Sequence, residues 1–165
     1  MQNTTFFLVI SMIGGRAMTP EEYLKQIKLF SNRHHELTWF TAEVAYYAAA
    51  GRVLDSLRGH LRLGCGIDNS KILRELGSLL KALTELCVCT VSHGEFLMHN
   101  WSSSREMVPA GVNGCANSIL NMIRAGETGR RAHFLANACS HLGFDFGAVA
   151  RQSVEDIENE NVGVG

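Results

Sequence analysis

No apolar run in this sequence is long enough to cross a membrane. The stretch Phe6-Phe7-Leu8-Val9-Ile10-Ser11-Met12-Ile13 falls short of the roughly 20 residues a helical span requires, and no positive charge precedes it as in a signal peptide. It is read as part of a loosely attached extension, residues 1–17, that closes on Gly14-Gly15-Arg16-Ala17, with Met18 an alternative start. An excess of one charge is also missing. Fifteen basic and 16 acidic residues leave a formal net charge of −1, which gives no electrostatic footprint for extended nucleic acid or a membrane surface. Five cysteines and seven histidines lack the spacing of a metal site: Cys87 and Cys89 diverge by about 200° on a helix, and His34, His35, His93 and His99 form no HExxH-type pattern. Reduced thiols in the core of a cytoplasmic protein are the expectation.

What the sequence does have is helical periodicity. Thr19-Pro20-Glu21-Glu22 is a helix start, with Thr19 as cap, Pro20 at the first helical position and Glu22 completing a capping box, so a helix is predicted to about Asn32. A longer one carries Leu37, Phe40, Val44, Tyr47, Leu54, Leu57 and Leu61 at three- and four-residue steps and stops near Gly64. Asp68 or Asn69 caps a third, in which Leu73, Leu80 and Cys87 widen a stripe of Ile72, Leu76, Leu79, Leu83 and Leu86, a breadth that predicts several helical neighbours. Ser92-His93-Gly94-Glu95 opens a shorter helix through Trp101, and further helices are predicted over about 113–125, 130–142 and 145–160, divided by Gly126-Glu127-Thr128-Gly129 and by Gly143. Strand-type alternation is missing. The expectation is an all-α antiparallel bundle forming one domain over residues 18–165.

Three segments on these helices, Thr41-Ala42-Glu43-Val44-Ala45-Tyr46, Glu75-Leu76-Gly77-Ser78 and Val91-Ser92-His93-Gly94-Glu95-Phe96-Leu97-Met98-His99-Asn100, resemble the MazG-like all-α nucleoside triphosphate pyrophosphohydrolases over about residues 20–107. In that family a long helix carries EExxE and the next carries ExxD, and the acids hold magnesium against the triphosphate. The resemblance implies a MazG-like bundle. It makes Glu43 and Glu75 the surviving metal ligands, puts Tyr46 and Ser78 where the other metal-holding acids stand, and turns Asn100 and Arg105 toward nucleotide. Ala42 replaces the first acid of the motif. Phe134-Leu135-Ala136-Asn137 can also be laid on the Glu75–Ser78 position, and Leu142-Gly143-Phe144-Asp145-Phe146-Gly147-Ala148-Val149 on the turn into the family's fourth helix. On that reading residues 18–110 and 111–160 are two halves of a degenerate repeat.

The departures bear on chemistry. Magnesium takes hard oxygen ligands, and two carboxylates three apart on one helix present their oxygens to one face. Tyrosine and serine hydroxyls are neutral at pH 7. With two carboxylates where the family has about four, magnesium binding is expected to be weak and water activation to fail. The expected function is therefore a catalytically degenerate MazG-like protein that binds a nucleotide or related phosphorylated ligand, or another protein, as a homodimer or other oligomer. Two alternatives remain: a divergent magnesium-dependent pyrophosphohydrolase that recruits Asp55 or Glu85, and a structural helical assembly.

Plainer roles stand beside these. Glu43 is a boundary glutamate that needs a partner if buried; Glu75 joins Lys71, Arg74 and Lys81 in a solvated charged face; Tyr46, Tyr47, Trp39 and Trp101 are core aromatics rather than base-stacking ones. Arg130-Arg131 holds phosphate at a helix start or solubilises a helix face. Cys139, with His133 and His141, lacks the third group of a nucleophilic site.

Overall fold

The computed structural model describes residues 18–33, 38–64, 66, 68–89 and 109–163. Among them are six helices and no strand: α1 (Pro20–Arg33), α2 (Trp39–Leu63), α3 (Asn69–Cys89), α4 (Gly111–Arg124), α5 (Thr128–His141) and α6 (Phe146–Gly163). The predicted helix at Ser92–Trp101 and the extension 1–17 lie outside the described residues.

Local chemistry sets the ends of these helices. At α1 the capping box forms as the sequence predicts, with Thr19 N–H donating to Glu22 Oε2 and Glu22 N–H to Thr19 Oγ1, both at 3.2 Å. Thr38 and Thr41 make the equivalent reciprocal pair at the start of α2. Gly64, at φ 65°, ends α2 by donating its N–H to the His60 carbonyl at 2.9 Å, a left-handed cap that glycine adopts without Cβ strain. Asp68 then opens α3 by accepting from Lys71 N–H at 3.2 Å, and Asp145 opens α6 by accepting from Ala148 N–H.

Helices α2 and α3 fold back on each other as a hairpin, and α4 and α5 form a second; α6 lies along α3, with α1 laid over both. The centre of the molecule is α3, which touches α1, α2, α5 and α6. Its predicted stripe of Ile72, Leu76, Leu79, Leu83 and Leu86 is buried, as are Leu80 and Cys87. Gly77 lets α6 come close: a Cβ there would lie 3.2 Å from Ser153 N and 3.3 Å from the Val149 carbonyl oxygen. Both contacts are to backbone, which cannot turn aside as a side-chain tip can.

The seam of α2 differs from the predicted one. Phe40, Val44 and Tyr47 are 68, 52 and 42% exposed, and Leu61 is exposed too. Of the predicted stripe Leu57 is buried and Leu54 partly so, and the rest of the buried face is Ala42, Tyr46, Ala49, Ala50 and Val53. An alanine-rich face allows neighbouring helices to approach closely, and dense backbone contact there outweighs burial of the bulkier stripe.

A histidine secures the joint between the second hairpin and its entry. His141, at the end of α5, accepts the Ala110 N–H on Nδ1 at 2.9 Å, satisfying the residue that caps α4. Gly114 makes room for the ring, since a Cβ there would sit 2.5 Å from His141 Nδ1. Desolvation lowers the His141 pKa, and protonation of Nδ1 would abolish the bond. A histidine whose folded pKa is depressed stabilises the fold above its unfolded pKa of about 6.5, and that contribution is lost as pH falls through the lower folded value. Stability should accordingly drop as pH falls below about 6.5 more steeply in the wild type than in His141→Gln. Gly114→Ala should push the ring out and return its NMR titration to the ordinary range; an unchanged titration would remove this account.

Candidate functional site

Two polar clusters interrupt the core. In the first, Arg131 of α5 is only 5% exposed. Its Nε donates to the Ala125 carbonyl at 2.9 Å, and its Nη2 donates to Glu43 Oε1 at 3.1 Å and to the Tyr47 hydroxyl at 3.3 Å. The guanidinium carbon stands 4.5 Å from the centroid of the Tyr46 ring, a cation–π distance. The Tyr46 hydroxyl, with its ring fully buried, donates to the Met122 carbonyl at 2.7 Å. Burial, the largest influence, pushes the phenol pKa well up despite the nearby Arg131 charge, which favours phenolate. One arginine therefore ties α2 to α5 and to the α4–α5 turn.

The second cluster lines a pocket of about 180 Å³ between α2, α3 and α6. Helix periodicity assembles it. Ser78, Lys81, Ala82 and Glu85 share one face of α3 at steps of three, four and seven; Ala45 and Arg52 face them from α2; Ser153, Asp156 and Ile157 do so from α6. Two polar walls are nine-tenths or more buried: Glu85 at 8% and Ser153 at 2% exposure. Lys81 Nζ lies 3.8 Å from Glu85 Oε1, beyond hydrogen-bond range but close enough to offset the buried charge. Asp156 accepts from the Gln152 amide at 2.9 Å. Behind the wall, the hydroxyls of Ser153 and Tyr23 are 3.1 Å apart, and burial, above all else, raises the Tyr23 pKa. The pocket thus offers hydroxyls and charges of both signs, and no histidine lines it.

The sequence-predicted site residues do not all meet. Glu43 and Tyr46 reach the α4–α5 side through Arg131 and Met122, whereas Ser78 opens on the α6 side. Glu75 is half-buried, and its Oε2 is buried with no hydrogen-bond partner, which nothing among the described residues explains. Asn100 and Arg105 lie outside the described residues. Of the replacement acids, Asp55 is exposed and pairs with Arg58 at 3.0 Å, while Glu85 is the buried wall of the pocket. Among the described residues no three His, Cys, Asp or Glu side chains gather as a metal would require.

Of the five cysteines, Cys87, Cys89, Cys115 and Cys139 are described, and all four are reduced thiols. Burial pushes the Cys115 thiol up to about 12 and Cys139 well above its ordinary value. Neither is a thiolate nucleophile at neutral pH. No described helix is long and apolar enough to cross a membrane.

Sequence reasoning singled out Ser78 and Glu85 but missed Arg52, Ser153 and Asp156. A usable signal was the run Ser78, Lys81, Glu85, polar residues at helical spacing on a helix otherwise broadly apolar. Compared with models of known families, with curated proteins and with solved structures, the chain matches none.

Proposed function

We propose that this chain is a non-hydrolysing helical binding protein of MazG-like descent that holds a small polar ligand in the α2/α3/α6 pocket. The observation that carries this reading is the buried Glu85 and Ser153 on the pocket wall: polar groups are costly to bury, and a lining of this kind is worth keeping where something polar is to be held. Ser78, at the last acid position of the second family motif, opens into the same space. On this reading the first motif no longer serves magnesium: Glu43, its one remaining acid, is engaged by Arg131, and Tyr46, at the other acid position, by a backbone carbonyl. At about 180 Å³ the pocket is below the roughly 300–1,000 Å³ of sites that hold drug-sized ligands, so the ligand proposed is smaller than a whole nucleotide. The degenerate repeat belongs to the same proposal, with hairpin α4/α5 as the counterpart of α2/α3.

With nucleoside triphosphates and excess magnesium, pyrophosphate release is expected to stay at background. Turnover of about 1 per second or more, the low end of ordinary enzymes, would overturn the reading. Binding is checked by a thermal-shift screen of small polar metabolites, in which a positive ligand should lose its effect on Ser78→Leu, whose side chain fills the pocket. A screen in which nothing stabilises the wild type would leave only the structural role.

Self-association is a second reading, favoured by Phe40, Val44 and Tyr47 exposed along one side of α2. From Phe40 to Gly51 the one charged residue bordering that side is Glu43, which Arg131 neutralises, so a second copy can pair with it across a two-fold axis with little like-charge contact. Sedimentation should show a dimer that Val44→Glu dissociates; a monomeric wild type would discard it.

A further inference from the structure

We infer that the pocket between α2, α3 and α6 takes a compact zwitterion, a molecule with an ammonium group at one end and a carboxylate or phosphate at the other. This rests on the binding reading above and specifies its ligand. The first argument is charge balance. Arg52 and Lys81 are set against Glu85 and Asp156, so the lining sums to zero while presenting both signs. A polyanion such as a nucleoside triphosphate would meet two carboxylates in a confined, half-dry space where repulsion is poorly screened. A simple cation would meet Arg52 and Lys81. A ligand that carries both charges meets neither penalty, provided its ends lie the right way round.

The second argument is that the lining has two distinct ends. Helices α2 and α3 run back on each other, so Arg52 and Ser78 lie nearer the turn end, where α2 stops at Leu63 and α3 starts at Asn69, and Ala45 and Glu85 lie farther from it. The seven-residue steps from Ala45 to Arg52 and from Ser78 to Glu85 each span about 10.5 Å of helix. The end near the turn offers a guanidinium fork and a hydroxyl, which suit a carboxylate or a phosphate. The far end offers the buried Glu85 carboxylate, to which an ammonium adds a second cation beside Lys81. Arg52 is exposed and therefore free to close over an anion without repacking the core, while the buried Ser153 and Glu85 are fixed in place. Site precision of that kind, a rigid inner wall with one adaptable long side chain at the mouth, suits a small ligand that enters and leaves.

The test uses the full chain and six probes, followed by thermal shift, titration calorimetry and the amide NMR signals of Ser78 and Ser153. 4-Aminobutyrate and O-phosphoethanolamine are zwitterions with a carboxylate and a phosphate end. Butyrate, butylammonium, inorganic phosphate and ATP with magnesium are the controls. At least one zwitterion should bind and move both amide signals, with the one-charge probes and ATP at least about tenfold weaker; which zwitterion binds identifies the anionic end. Arg52→Gln and Asp156→Asn should each weaken that zwitterion by about tenfold. Arg52 is solvent-exposed, so an unchanged melting point for ligand-free Arg52→Gln separates lost binding from lost folding. Equal binding of butyrate or butylammonium, or tighter binding of ATP, overturns the inference. If no zwitterion binds but another small molecule does, and Ser78→Leu abolishes its effect, the inference falls while the binding reading stands. If nothing binds, both fall.

Discussion

Replacing Arg131 with Ala is expected to destabilise the protein by about 3–5 kcal/mol, the range for removing one partner of a buried ion pair. The guanidinium side chain belongs to a residue only 5% exposed and serves three groups at once: it donates to Glu43 on α2 and to the Ala125 carbonyl after α4, and it covers the Tyr46 ring. Its loss leaves the partly buried Glu43 carboxylate without its cation, strips Ala125 of a donor and opens a space beside Tyr46. Glu43→Gln should cost less, since the guanidinium keeps the carbonyl, the Tyr47 hydroxyl and the ring. The two losses should not add, because both break the same contact. A metal ligand would behave otherwise: neutralising Glu43 would spare the metal-free fold and abolish any magnesium-induced rise in melting point. Urea unfolding of the four proteins of the cycle decides between them. A loss below about 0.5 kcal/mol for Arg131→Ala, typical of an indifferent surface site, would discard the clamp.

Much of the fold was legible because the signals that end and start helices are local. Thr19 with Glu22, Gly64, Asp68 and Gly143 each act within four residues of themselves, and the helices predicted over 130–142 and 145–160 appear at Thr128–His141 and Phe146–Gly163. The stripe of α3 was legible for a related reason: a helix surrounded on several sides shows its burial in its own composition. The orientation of α2 was not, because periodicity gives weight to bulky residues, and this helix packs through alanines while Phe40 and Val44 face outward. Arg131 looks in sequence like its neighbour Arg130, yet Arg130 is exposed and Arg131 buried; the carboxylate that permits this stands 88 positions away. No local pattern carries such a pairing. Tyr46 shows how far this matters for experiment. An acid at that position would enter a fully buried site and test folding before chemistry, whereas Ser78→Asp, at the edge of the pocket, probes the site with the core intact.

Leu83→Ala and Leu79→Ala should each cost about 2–5 kcal/mol, while Val44→Ala should fall within about 0.5 kcal/mol of wild type. Both leucines are completely buried on the helix that four others surround, so truncation removes their transfer free energy and leaves a cavity that α2 and α6 cannot collapse without moving as whole helices. How far the cavity is refilled sets the place within the range. Val44 is half-exposed on the outward side of α2, and shortening it gains a little helix propensity while giving up only part of a contact. The comparison therefore locates the seam of α2 independently of any ligand. If α2 packed on α3 through the bulky stripe of Phe40, Val44 and Tyr47, Val44→Ala would cost a kilocalorie or more and Ala49→Ser on the opposite side would be harmless. With the alanine seam the order reverses, because a hydroxyl at Ala49 enters a closely packed helix contact with no room for it and no assured partner. The midpoint of urea unfolding, at unchanged slope, reads each of these differences. Equal losses at Val44 and Leu83 would mean that the observed seam of α2 is wrong.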